Sequence, residues 1–264
     1  MAGTTIGGEA MKVEMLIATM RSKAAQNHEL FTTPDVDFLV IDQLPEAAAV
    51  YPAAARVVGV QETGLSRSRN RALAQAQGDI AVLADDDVHH APQLAAALGE
   101  AYARTGADFI TFNNGSQRPQ GSGGLKPHTR RSVLQVSSCL ISLRPEPFRR
   151  AGLRFDERFG LGAAFASGEE NILLYEALGR GLKGWHLDLP LVFHDAVSTG
   201  YRFTPELAES KGALQLRLFG AAGYLSMLAF AWKKRALYRE RMGFMDFVAA
   251  QWRGARRYRQ EPIA

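Results

Sequence analysis

A single cysteine among 264 residues, Cys139, rules out a disulfide framework and any multi-cysteine zinc or iron–sulfur centre. The six histidines never fall in a His-Glu-x-x-His spacing, which argues against a zinc-peptidase helix. No apolar run reaches the roughly 18 residues that a membrane-spanning helix needs. Residues Met1 to Ala10 offer neither a basic nor an apolar stretch, so a secretory signal is not expected. Repeats and low-complexity segments are missing too. With 47% apolar and 22% charged residues, disordered and collagen-like classes fall away. A cytoplasmic protein of a reducing compartment is the expectation. The length suits one large α/β domain, or one domain carrying a sizeable appendage.

Charge is unevenly spread. From Lys211 onward there are eleven Lys and Arg against three Asp and Glu, so this tail carries +8 of an overall +4 and the rest carries −4. The tail reads as helix, with Leu214, Leu218, Leu225, Leu228, Trp232, Phe247 and Trp252 interleaved with Lys233-Lys234-Arg235, Arg253, Arg256, Arg257 and Arg259. Aromatic and aliphatic residues among arginines suit an anionic membrane surface, which would make the protein peripheral on the cytosolic face. The same residues can instead pack on the main domain. No nucleic-acid module is visible, and no nucleic-acid partner is expected.

Strand-like and helix-like segments alternate, which predicts a mostly parallel central sheet flanked by helices, followed by a C-terminal helical, basic amphipathic extension. Val13–Ala18, Phe38–Asp42, Arg56–Val60, Ile80–Ala84, Asp108–Asn113 and Val133–Leu143 read as strands. Ser66 is expected to cap a helix that runs to Gln77 and stops at Gly78. Pro92 suits the first turn of the next helix, through Thr105. The stretch Gly115 to Pro127 is rich in Gly, Pro and Ser and is expected to hold no regular structure, as a surface loop or a mobile lid. The domain plan is a disordered extension over residues 1–10 (translation can start at Met11), a catalytic domain over 11–205 and a helical extension over 206–264.

Three elements carry chemistry. Asp85-Asp86-Asp87 follow a buried strand, and ligands of open α/β sheets bind at the carboxyl ends of strands. Crowded carboxylates repel one another unless a cation or donors compensate, and a hard divalent ion shared with a phosphate does so. A solvated acidic turn is the plain alternative. Second, Phe155 to Asn171 leads through glycines and aromatics to Glu169 and Glu170 at a helix start. Ser167-Gly-Glu-Glu170 also fits a capping box, in which Glu170 only serves its own helix. Third, His194 ends an apolar strand before a polar Asp195–Gly200 loop, as a structural residue or a third metal ligand.

The run from Gly64 to Asp87, with Arg69-Asn70 on a helix, Gly78-Asp79, a short strand and the triple aspartate, resembles family-2 glycosyltransferases of the GT-A (Rossmann-like) fold. The Gly-Glu-Glu-Asn171 helix start and His194 match later elements of that family, and the resemblance spans Val13 to Gly200. It implies an inverting transfer from a nucleotide-diphosphate sugar, UDP-sugar favoured, to a carbohydrate or lipid-linked hydroxyl, in bacterial polysaccharide or glycolipid synthesis. It also implies Mn²⁺ or Mg²⁺ held by Asp87 with Asp85 and His194. Thr19, Asp42, Arg69, Asn70, Asp85 and Asp86 would sit on the donor side, Glu170 would be the general base, and Glu169 would orient the acceptor. The sequence departs from the family where the first strand ends in Ala18-Thr19-Met20-Arg21 and the second in Asp42-Gln43-Leu44-Pro45. A catalytically inactive relative that binds membranes or a partner is the alternative. A sugar-1-phosphate nucleotidyltransferase fits less well, because residues 19–26 lack the glycine-rich loop it needs.

Overall fold

The structure, a computed structural model, describes residues 11–194 and 204–261. The expected disordered extension over 1–10 and the Asp195–Gly200 loop lie outside the described residues. Two compact units emerge. The first comprises residues 11–63, 67–154 and 173–194, and the second 64–66, 155–172 and 204–261. The expected boundary at 205/206 therefore leaves out Phe155–Ile172, which group with the C-terminal helices.

The first unit is built on one nine-stranded sheet. Its strands are β1 (Val13–Met20), β2 (Val36–Gln43), β3 (Ala55–Val60), β4 (Ile80–Asp85), β5 (His89–His90), β6 (Phe109–Asn114), β7 (Leu125–Pro127), β8 (Ile141–Leu143) and β9 (Gly184–Phe193). The order is β3-β2-β1-β4-β8-β6-β9-β5, with β7 added to β9. β1 to β4 pair in parallel, as β6 does with β9, whereas β8 runs antiparallel between β4 and β6. Continuous apolar runs such as Ile80–Ala84 form the central strands because both faces of a helix-covered sheet are buried. From β1 the chain steps one way to β2 and the other way to β4, so the order reverses between β1 and β4. Crevices at such reversals, at the carboxyl ends of the strands, are where open α/β sheets bind ligands.

Several local expectations are corrected. Helix α1 covers Leu65–Gln75, so Ser66 lies inside its first turn and gives its hydroxyl to the Phe159 carbonyl at 2.5 Å rather than capping. Gly78 does not end that helix. A Cβ there would come within 2.8 Å of Glu14, whose carboxylate accepts the Gln77 and Gly78 N–H groups. Helix α2 spans Leu94–Thr105, with Pro92 just ahead of it. Of Val133–Leu143 only the last three residues are strand, and the upstream residues curl into 3-10 turns at Ser132–Gln135 and Ser138–Leu140. The Gly115–Pro127 stretch is not wholly irregular, because Leu125–Pro127 pair with β9 as β7. Asp188 of β9 accepts from the Ser122 N–H and hydroxyl and from Arg118, which ties the loop down. Helix α3 (Pro145–Arg150) follows β8, and α4 (Glu169–Gly179) precedes β9.

The second unit adds α5 (Pro205–Phe219), α6 (Gly223–Tyr238) and α7 (Phe244–Gln260). α5 and α7 approach backbone to backbone. A Cβ on Gly212 would stand 2.0 Å from the Gln251 carbonyl oxygen, and one on Gly254 1.9 Å from that of Glu209. Gln215 donates to Gln251 at 2.9 Å, and Gln251 to the Met227 carbonyl at 3.2 Å, while the buried Gln215 Oε1 is left without a hydrogen bond. Contrary to the sequence expectation, the helical stretch Pro205–Tyr238 is by length and composition long and apolar enough to cross a membrane. It is interrupted at Gly220 (φ 55°, ψ −135°), and each piece holds at most 16 residues. That is short of the roughly 20 that a bilayer requires.

Candidate functional site

In the first unit, the candidate residues gather at the carboxyl ends of β1, β2 and β4. The Thr19 hydroxyl donates to Asp86 Oδ2 at 2.7 Å and accepts the Ala24 N–H at 3.0 Å, which fixes the turn after β1. Asn27 holds the Asp86 carbonyl at 3.2 Å. Burial raises the Asp86 carboxyl above its ordinary range; the Thr19 bond opposes this, and the charge of Asp87 adds to it.

Asp42 is fully enclosed, at 0% exposure. Its carboxylate accepts from the Ser22 N–H at 3.0 Å, the Ser22 hydroxyl at 2.7 Å and the Tyr51 hydroxyl at 2.7 Å. Burial, then the bond to Asp42, pushes the Tyr51 phenol above its ordinary range. Asp42 therefore braces the β1 turn from within and presents no open oxygen to a base, unlike the donor-side contact expected of it. The brace holds Arg21 and Ser22 at φ 53° and Leu44 at φ 55°. Non-glycine residues in this region store local strain, and they sit here at the ligand-binding edge of the sheet.

Arg69 of α1 is 1% exposed and contacts Asp85 Oδ1 with its Nη2 at 2.8 Å. Asn70 follows on the same helix, half-buried. Asp87 is exposed, and its Oδ2 lies 3.1 Å from Nε2 of His194. The His194 Nε2 atom is buried yet makes no hydrogen bond. The backbone of His194 is clamped by the Asn114 amide, which accepts its N–H at 3.3 Å and donates to its carbonyl at 3.2 Å.

The Asp87 oxygen and the His194 nitrogen are close enough for both to serve one divalent cation. Among the described residues no cluster of three or more His, Cys, Asp or Glu side chains is arranged to hold an ion, and Asp85 is engaged by Arg69. Asp87 and His194 would supply two ligands to such an ion.

The glutamate pair belongs to the second unit. The capping box is not formed: α4 starts at Glu169, Ile172 N–H bonds the Gly168 carbonyl, and the Ser167 hydroxyl is buried without a hydrogen bond. Glu169 is buried. A Cβ on Gly160, at φ 105°, would press within 3.3 Å of its carboxyl carbon and 2.9 Å of the Ser66 hydroxyl. The approach segment is held by Phe159 and Phe165, which pack against Tyr258, and by Asp156 between Arg158 (2.6 Å) and Arg217 (2.9 Å).

Lys211 of α5 went unread in the sequence. Its ammonium interacts electrostatically with Glu170 and Glu169, while burial lowers its affinity for a proton. The neighbouring Ser210 hydroxyl accepts the Ala166 N–H at 3.1 Å, so this turn of α5 lies against the start of α4. Tyr51, Ser22 and His90 also escaped notice. The His90 ring nitrogens are buried without hydrogen bonds, and burial pushes its pKa down to about 4. No spacing rule marks such residues; only the fold brings them to the site.

The family model described as glycosyl transferase family 2 matches residues 14–167, more than half of the chain. A comparison with curated proteins found no match. Among solved structures, S. aureus TarS 1-349 is similar at a TM-score of 0.56 and 13% identity, over 95% of this chain and 92% of that one. The same protein in complex with UDP-GlcNAc gives the same values. Its complex with UDP matches at 0.56 and 13%, over 91% and 81%. At such identity the likeness is one of fold.

Proposed function

The chain belongs to glycosyl transferase family 2, and from that premise we propose that it moves a sugar from a nucleotide-diphosphate donor, UDP-sugar first, to an acceptor hydroxyl. The observation that carries the donor reading is the Asp87–His194 pair at the carboxyl edge of the sheet, with its orphaned imidazole nitrogen. The UDP and UDP-GlcNAc complexes of the structurally similar TarS support the choice of nucleotide.

In this reading Asp87 and His194 would hold Mn²⁺ or Mg²⁺, and Asp85, held by Arg69, stands on the donor side. When bound, the ion would neutralise the diphosphate and ease its departure. The Thr19 hydroxyl holds the Asp86 carboxylate, which fixes the acidic turn. Glu170 takes the acceptor's hydroxyl proton as that oxygen bonds to the anomeric carbon. The bond from that carbon to the donor phosphate breaks, and its electron pair leaves with the nucleoside diphosphate. A single displacement inverts configuration. The Lys211 ammonium interacts with Glu170 and Glu169 and so lies beside the acceptor-side pair.

Calorimetric titration of UDP with and without Mn²⁺ tests the donor site. Metal-dependent binding that Asp87→Ala abolishes supports the enzyme, whereas binding indifferent to metal, or none, supports an inactive relative. For the acceptor we favour a lipid-linked or membrane-borne saccharide, because the C-terminal helices expose apolar residues amid positive charge. Leu225, Trp232 and Met245 are 74%, 68% and 72% exposed. Leu225, Leu228 and Trp232 share one face of α6, and Lys233, Lys234 and Arg235 follow directly. This would place the protein on the cytosolic face of an anionic membrane.

A further inference from the structure

We propose that a cavity beside β6, β7 and β9 is a second ligand site, which takes an anionic saccharide: a sugar bearing a phosphate ester or a carboxylate. Its volume is about 480 Å³, within the range of small-molecule sites. It shares no lining residue with the candidate donor set of Thr19, Asp42, Asp85, Asp86, Asp87 and His194. Asn114 is both a wall of the cavity and the clamp on His194.

The described lining contains Arg118 and Lys126 but no aspartate or glutamate. That is unexpected where the chain up to residue 210 carries a net −4. Arg118 shares its guanidinium with Asp188 at 3.0 Å, whereas Lys126 makes no ion pair among the described residues. One uncompensated ammonium beside a planar fork of donors is suited to a carboxylate or phosphate.

The rest of the cavity suits hydroxyl groups. At one wall the Thr111 hydroxyl bridges His128 Nε2 at 2.8 Å and His186 Nδ1 at 2.9 Å. His128 is further fixed by the Ser132 hydroxyl at 2.8 Å and by stacking on Phe109 at 5.7 Å. Burial pushes the His128 pKa down to about 4 and lowers that of His186, and with both nitrogens taken by Thr111 and Ser132 the His128 ring is a fixed, neutral wall. The exposed amides of Gln117 and Gln135 add donors and acceptors, and the half-buried Leu140 offers apolar surface to a sugar ring.

The test is a heteronuclear NMR titration of the full chain carrying Asp87→Ala, without metal, to weaken competition from the donor site. The probes are glucose 6-phosphate, glucuronate, inorganic phosphate and glucose. Saturable shifts at Thr111, Lys126 and His128 are expected with one of the two anionic sugars, and the tighter one identifies the anion. Glucose should bind about tenfold more weakly or less, the worth of one charge-assisted contact. Inorganic phosphate should also bind more weakly, because it lacks the hydroxyls. Lys126→Gln, at an exposed position, should weaken the anionic sugar about fivefold or more and leave glucose unchanged. The proposal is overturned if no probe gives saturable shifts there, if glucose or inorganic phosphate matches the anionic sugars, or if binding survives Lys126→Gln together with Arg118→Gln.

Discussion

Replacing Thr19 by valine should destabilise the first unit in a way that depends on pH. The Thr19 hydroxyl is buried and serves two partners, giving a proton to Asp86 and accepting the Ala24 N–H. Valine nearly keeps the shape and removes both bonds. A bond to an ionised carboxylate contributes about 1.5–3 kcal/mol, and an orphaned buried N–H costs about 1–2 kcal/mol. At pH 7 the sum is about 2.5–5 kcal/mol.

The sign of the pH effect follows from Asp86. Burial raises its carboxyl in the folded state, so its own contribution is favourable at low pH and is lost as pH rises through the folded pKa. Above the folded pKa the ionised carboxylate relies on Thr19. Once Asp86 is protonated, the lost bond is a neutral one contributing about 0.5–1.5 kcal/mol, so the penalty of Thr19→Val should shrink by about 1 kcal/mol. Urea unfolding at pH 7 and pH 4 reads this. Trp185 should be the fluorescent probe, in a Trp232→Phe, Trp252→Phe background, because the other two tryptophans lie in the second unit. Thr19→Ser should behave as the parent. Equal penalties at the two pH values, or one under about 1 kcal/mol at pH 7, would refute the reasoning.

Glu170→Gln should lower turnover by a factor on the order of 10²–10⁴ and leave UDP affinity nearly unchanged. A larger loss from Glu169→Gln would exchange the two roles. Gly212→Ala should force α5 and α7 apart, because its Cβ would meet the Gln251 carbonyl oxygen at 2.0 Å. The cost should be about 2–4 kcal/mol, from overpacking and the strained Gln215–Gln251 bond, and denaturant unfolding followed by circular dichroism would show it. Trp232→Ser, at a 68% exposed site, should change stability by no more than about 0.5 kcal/mol while reducing co-sedimentation with anionic vesicles. Unchanged sedimentation would count against the membrane face.

Local pattern alone located β1 to β4, α2 and the start of α4, because an unbroken apolar run or a 3.6-residue repeat reports burial directly. The acidic turn after β4 was legible for a related reason: ionisable residues following a buried strand must emerge at its end. What the chain could not declare locally depended on partners distant in sequence. Ser66 and Ser167 look like helix caps, but whether a hydroxyl finds a backbone N–H depends on what packs beside it. Asp42 became an internal brace because Ser22 and Tyr51 converge on it from two other segments. The cavity wall needed β6, β7 and β9 to bring Thr111, His128 and His186 together. Hydrophobic periodicity is a property of neighbours along the chain, so sequence determined the elements. Hydrogen bonding and charge pairing act across space, so the tertiary structure decided what each polar side chain does.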